Sequence, residues 1–358
     1  MKKLMFFALA SAFMFACSDD DSVPNNAQEG TNGTLTFEIS AVNDLNTGVT
    51  RGPVYSQAPD QHVTRVSVYA FKSDGSQYLY TKTYDITGWT DGTTFKRYEV
   101  ASSDNLPAGD YKLLAVGRDA SDQYTVTAPT AATTFEGMAA SIAASGNETE
   151  IFAGSTAVTI ASVGNRVSIP MTRKVAGVLG YFKNVPQTLN GKTVKYLRLS
   201  VSATNTAVNL STSVGSTAGT APFNLIDIDL STQAVSGEVY AGNDLTGQGV
   251  VKLDKSQLGG AFLLPVTNVK LTLGLYDSTN AAIKTWVVKD SNNGGSDTFN
   301  ITANHFYSLG TKTQVGNTNG GTGGDTGDDD AAIDLLTDQN IVVTISPAWD
   351  VIHNLVIQ

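Results

Sequence analysis

Apolar and polar residues alternate at period two along most of this chain, and that period predicts its elements. Leu35, Phe37 and Ile39 alternate with Thr34, Thr36, Glu38 and Ser40, which gives a strand with one apolar face. The stretch VTRVSVYAF repeats the pattern with Val66, Val68 and Ala70. Further strands are predicted over 78–86, 109–118, 149–160, 175–182, 192–202, 269–277, 283–289 and 305–313. Turn signals separate them, among them Ser73-Asp74-Gly75, Asp91-Gly92, Pro107-Ala108-Gly109 and Asn190-Gly191. A helical turn or two is expected only around residues 132 to 145. Many short strands with turns and no intervening helices predict an all-β chain of two tandem antiparallel β-sandwiches. Their boundary is expected near Thr172 to Ala176.

Composition narrows what such a chain does. Its 358 residues suit two domains, and 41% hydrophobic residues are enough to fill their cores. A net charge of −10 with no basic cluster argues against nucleic acid and against a basic membrane-binding face. His62, His305 and His353 lack zinc-ligand spacing, so no metal and no cofactor are expected. Asp325-Thr326-Gly327 spells an aspartic-protease triplet, but a glycine-rich segment cannot hold two carboxylates in apolar surroundings. The acids at Asp328 to Asp330 lack the alternation and glycine of an EF-hand loop. The chain is read as no enzyme. Trp89, Trp286 and Trp349 suit core anchors or strand-edge caps better than a sugar-stacking platform.

Both ends carry signals of their own. Lys2 and Lys3 precede a short apolar run from Leu4 to Ala16, too short to span a membrane, which reads as a secretory signal peptide over 1–16. Met14-Phe15-Ala16-Cys17 resembles the lipobox of bacterial lipoproteins, and Cys17 is the only cysteine of the chain. An ordinary signal peptide with an incidental cysteine is the plainer alternative. Ser18-Asp19-Asp20-Asp21 is a solvated acidic run that resembles the export tag of surface lipoproteins in Bacteroidetes. Residues 316–330 form a flexible acidic, glycine-rich linker, spanning about 20 Å as a random coil. Beyond it, in 331–358, Ile341, Val343 and Ile345 alternate with polar or smaller residues, Pro347 breaks the run, and Trp349 and Val351 continue it. Such a tail is expected to seek a groove.

The order of these features resembles the fimbrillin family of Bacteroidetes, the subunits of the type V pilus. The residues that carry the likeness are the lipobox at Cys17, the strand at 34–40, Arg51 in TGVTRGPVYS, VTRVSVYAFKSDG, LPAGDYKLLAVGR, RKVAGVLGYF, ITANHFYSLG and the ending IVVTISPAWDVIHNLVIQ. The resemblance implies Greek-key, transthyretin-like sandwiches at 52–173 and 174–315, with a C-terminal donor-strand tail. It implies that an outer-membrane lipoprotein precursor, held in the lipid through Cys17, is cut by a trypsin-like protease between Arg51 and Gly52. Residues 17–51, tether and removable strand together, then leave, and a strand from a neighbouring pilin subunit fills the groove. Leu35, Phe37 and Ile39 would be the departing side chains, and Ile341, Val343, Ile345, Trp349 and Val351 the donated ones. Arg51 lies in a loop-like setting suited to cleavage, although Pro53 stiffens it, and a solvated loop arginine that is never cut is the alternative.

Three functions follow from these readings. The first is a structural pilin of a cell-surface fimbria that polymerises by strand exchange and mediates adhesion. A tip or anchor member of the same family is the second. The third is a surface glycan-binding lipoprotein, which shares the sandwich fold and the acidic run after the cysteine.

Overall fold

The period-two runs are strands, and their apolar faces build three connected layers of core. The computed structural model describes residues 34–41, 62–121, 123–143, 148–161, 164–243, 253–290, 296–310 and 332–336, and the backbone of 351–357. In chain order the first strands are β1 (Leu35–Ala41), β2 (Val63–Ser73), β3 (Tyr78–Ile86), β4 (Phe95–Glu99), β5 (Gly109–Asp119), β6 (Thr125–Val126), β7 (Ala139–Ser141), β8 (Ile151–Ile160) and β9 (Asn165–Arg173). Seven of them form one sheet in the order β3-β2-β5-β8-β9-β1-β4. The sheet folds over on itself, so that Leu35, Phe37 and Ile39 pack into one core with Val66, Val68, Tyr84, Leu113, Phe152, Val167 and Ile169.

After Lys174 and Val175 the chain enters β10 (Ala176–Lys183). A second large sheet runs, from edge to edge, through Phe223–Asp229, Tyr196–Val201, Leu271–Tyr276, Ala282–Asp290, Val351–Ile357, His305–Leu309, β10 and Ser256–Leu263, with Ile333–Asp334 also paired to β10. Its core holds Val178, Phe182, Leu197, Leu199, Leu273, Trp286, Tyr307 and Leu309.

A third apolar layer joins the two units. Leu113 and Ala115 of β5 point into the first core, while Leu114 and Val116 point the other way, toward Leu179, Tyr181, Phe262 and Phe306. That two-sided burial explains why LLAV reads as a continuous apolar run. The join is also made by hydrogen bonds: β6 and β7 share a four-stranded sheet with Asn205–Asn209 and Gly215–Ala218 from the other unit.

Three details differ from the sequence expectation. The helical turn around 132 to 145 is a 3-10 turn at Phe135–Gly137, capped by the Thr134 hydroxyl that accepts from Gly137 N at 3.1 Å, and it passes into β7. The pairing is mixed: β1 runs parallel to β9, and β10 parallel to both His305–Leu309 and Ile333–Asp334. Strand β9 is absent from the sequence reading because Pro170 sits inside NRVSIPMTR. The proline is accommodated where β9 departs from β8, and there Gly154 is obligatory, since a Cβ on it would lie 1.7 Å from the Pro170 carbonyl oxygen.

Candidate functional site

Strand β1 occupies a slot. On one side all seven of its residues pair in parallel with β9, from Leu35 opposite Asn165 to Ala41 opposite Met171. On the other side Thr36 to Ser40 pair antiparallel with Glu99 to Phe95 of β4. Among the described residues β4 pairs with β1 alone, and its Phe95 is exposed. At the ends of the slot the Leu35 amide donates to Asn105 Oδ1 at 3.1 Å, and the Ala41 amide to the Thr94 carbonyl at 2.9 Å.

The two faces of β1 meet different chemistry. Leu35, Phe37 and Ile39 are 1%, 0% and 0% exposed, and burying such side chains contributes about 1.5 to 3 kcal/mol each. Together they match a large part of the roughly 5 to 15 kcal/mol that holds a whole domain folded. On the outer face Glu38 sits between two arginines. Its Oε1 accepts from Arg97 Nε at 3.1 Å and Arg97 Nη2 at 3.0 Å on β4, and also from Arg166 Nη2 on β9. The Arg166 hydrogen bond, followed by that of Arg97, holds the Glu38 carboxyl below its ordinary range against the opposing effect of burial.

The C-terminal strand lies at home over its described part. Val351–Ile357 runs antiparallel to Ala282–Asp290, with Lys289 opposite Val356, and parallel to His305–Leu309, with His305 opposite Val351. Ile333 and Leu335 are buried in the second core. These segments lie beyond the 174–315 span that the resemblance implies for the second sandwich, and they pack and pair with it. Apolar alternation marks a segment that needs a sheet, but it does not say whose sheet. Cys17, Arg51, Gly52, Ile341, Val343, Ile345 and Trp349 lie outside the described residues.

Other polar groups gather where the units meet, and the sequence reading missed them. Arg173 Nε donates to Glu150 Oε1 at 2.6 Å, both side chains being buried, and the guanidinium lies 5.0 Å from the centre of the Phe152 ring. The other Glu150 oxygen accepts the His62 amide at 2.9 Å. Two residues earlier, burial pushes the Glu148 carboxyl up to about 7, and burial lowers the Lys174 ammonium, which donates to Ser213 Oγ at 2.9 Å. The visible signal was a pair of acids set directly before the apolar residues Ile151 and Phe152, in NETEIF, with no basic residue beside them. A cavity of about 350 Å³ opens nearby, lined by Thr172, Asn205, Ser213, Pro265, Asn300 and Thr302 among others, with no aromatic ring in its wall. Trp89 and Trp286 are buried in the cores, so neither offers a face to a sugar. His62 contacts Asp91 across 3.1 Å and His305 stacks on Tyr307, and among the described residues no group of three metal-ligating side chains occurs.

The sequence profile of the fimbrillin-A associated anchor proteins Mfa1 and Mfa2 matches residues 25–354. The chain belongs to that family. No curated protein matches it in sequence. Among solved structures, the fimbrial anchor protein Mfa2 from Porphyromonas gingivalis is 14% identical, with 70% of this chain and 81% of that one covered at a TM-score of 0.40. A proposed cell adhesion protein from Parabacteroides distasonis is 12% identical, covering 91% and 96% at 0.47. A proposed adhesin from Bacteroides thetaiotaomicron is 13% identical, covering 71% and 80% at 0.42. The fimbrial family is thus established by the profile, which spans both units and reaches into both ends of the chain.

Proposed function

We propose that this protein is a structural subunit of a surface fimbria that accepts a strand from a neighbouring subunit in the slot filled by β1. The observation that carries the reading is the seating of β1: an N-terminal strand supplies three fully buried side chains to a core and lies beside an edge strand whose only strand partner among the described residues is β1. In this reading Cys17 bears the lipid that carries the precursor to the outer membrane surface. A trypsin-like protease cuts between Arg51 and Gly52, β1 departs with residues 17–51, and the bare groove gains a neighbour's strand by β-augmentation. The fibre so formed serves adhesion, without catalysis or cofactor. N-terminal sequencing of protein sheared from the cell surface tests this. A start at Gly52, with Arg51→Ala accumulating as precursor, supports strand acceptance, and a start at acylated Cys17 rejects it.

The pairing of Val351–Ile357 inside its own sheet favours a second reading, an anchor subunit that keeps both its lipid and its tail. The family's description as anchor proteins supports it. Lys289→Cys with Val356→Cys places two thiols opposite each other on antiparallel strands, within disulfide reach. If cells with the oxidised, locked tail still assemble fimbriae, the tail is not donated and the anchor reading gains. If assembly stops and a reductant restores it, the tail is the donor of a polymerising pilin.

A further inference from the structure

Strand β1 fills its slot with apolar side chains on one face and a single carboxylate on the other. Glu38 is opposite Arg97 in the antiparallel register with β4, and it also accepts from Arg166 of β9. The Glu38 side chain is 16% exposed, whereas those of Arg97 and Arg166 are 48% and 45% exposed. The two guanidiniums therefore converge from opposite walls on one position of the occupying strand. Once β1 is gone they are like charges facing each other across one strand's width, roughly 10 Å at about 4.8 Å per strand spacing. Glu99 lies two residues further along β4, opposite Thr36, and is exposed.

We propose that Arg97 and Arg166 are specificity determinants of this slot, selecting an incoming strand of a different fimbrial subunit that carries a carboxylate between two inward apolar residues. The inference rests on the strand-accepting reading above and adds the chemistry of the partner. A neutral residue at that place leaves the two arginines to repel each other, whereas a carboxylate bridges them with charge-assisted hydrogen bonds.

The chain's own tail does not meet this requirement, which is why the partner is a different subunit. With Ile341, Val343 and Ile345 in the places of Leu35, Phe37 and Ile39, Thr344 falls where Glu38 stands. Moving Asp350 there instead puts Pro347 at the Leu35 place, where an amide must donate to Asn105, and His353 at the place of Ala41, which is 3% exposed. Ile333-Asp334-Leu335 also has an acid between apolar residues, but Ile333 and Leu335 are already buried in the second core.

The test uses the full chain with a specific protease site in place of Thr50-Arg51-Gly52, nicked so that β1 stays in its slot without a covalent tie. A fluorescent peptide of residues 33–42, GTLTFEISAV, is exchanged in and competed against the same peptide with Glu38→Gln. The expected result is a preference for the glutamate peptide of roughly fivefold, as two half-exposed ion pairs supply. The preference should shrink in high salt and vanish in the nicked chain carrying Arg97→Gln and Arg166→Gln. Equal binding of the two peptides to the unmutated slot overturns the charge selection while leaving strand acceptance standing. A preference that survives in the double arginine variant also overturns it. Failure of both peptides to exchange, while the nicked chain keeps its native melting curve, overturns the strand-accepting reading and the selection with it.

Discussion

Arg173 and Glu150 form an ion pair at 2.6 Å where the first unit passes into the second, with side chains only 1% and 3% exposed. Neither charge has water to fall back on, so each depends on the other. The Glu150 carboxylate also holds the His62 amide at the start of β2, which ties the entry of one strand to the exit of another. Replacing Glu150 by Ala is expected to destabilise the protein by about 3 to 5 kcal/mol, because it strands a buried guanidinium. The double variant Glu150→Leu with Arg173→Met should recover much of that loss. Thermal or denaturant unfolding of the three chains measures it, and equal melting of Glu150→Ala and the unmutated protein would exclude a structural role for the pair.

Phe37 meets Tyr84 edge-on, the ring centroids 5.1 Å apart, across the folded-over sheet. Phe37→Ala should cost about 3 to 5 kcal/mol, the usual range for emptying an aromatic core site. Exchange of the amides of β4 should quicken with it, since among the described residues β4 has no other strand to hold it in the sheet. Hydrogen exchange of Lys96 and Tyr98 in the variant reads this directly.

Deleting residues 331–358 removes Ile333 and Leu335 from the second core and bares the facing edges of His305–Leu309 and Ala282–Asp290. The truncated chain is expected to melt well below the full chain, with greater aggregation from the bare edges. An unchanged melting curve would mean that the tail strand contributes nothing at home.

Glu148 gives a pH dependence of known sign. Burial raises its pKa from 4.5 to about 7, so between these values the unfolded chain has lost the proton that the folded chain keeps. Stability therefore falls as pH rises from 4.5 to 7, by at most about 3 kcal/mol from this group. Glu148→Gln has no such term. The difference in melting temperature between the variant and the unmutated protein should widen in the variant's favour from pH 5 to pH 8, and a constant difference would refute the assignment.

Cys17→Ala is expected to abolish labelling of the protein by a fatty-acid probe in cells. The sequence holds no other thiol, so label that persists in the variant would rule out the lipobox reading.

The sequence made the inward face of β1 legible and hid its surroundings. Leu35, Phe37 and Ile39 were marked as one apolar face by alternation alone, and all three are in the core. The strands that flank them were not. Phe95–Glu99 is short and half-charged, and Asn165–Arg173 carries Pro170, so neither reads as a strand in isolation. Arg97 and Arg166 are 69 residues apart in the chain, and nothing local links either of them to Glu38.

What the sequence determined by itself is the set of apolar faces and hence the all-β class, because a period of two fixes which side of a strand is buried regardless of its neighbours. What only the tertiary structure decided is which strands meet. The placing of β1 between β9 and β4, the parallel pairings of β10, the fused layer between the units and the return of Val351–Ile357 into its own sheet all rest on backbone hydrogen bonds between distant segments. Every strand edge offers the same amides and carbonyls, so the choice among edges is made by the packing of the whole core and by single outward charges such as Glu38.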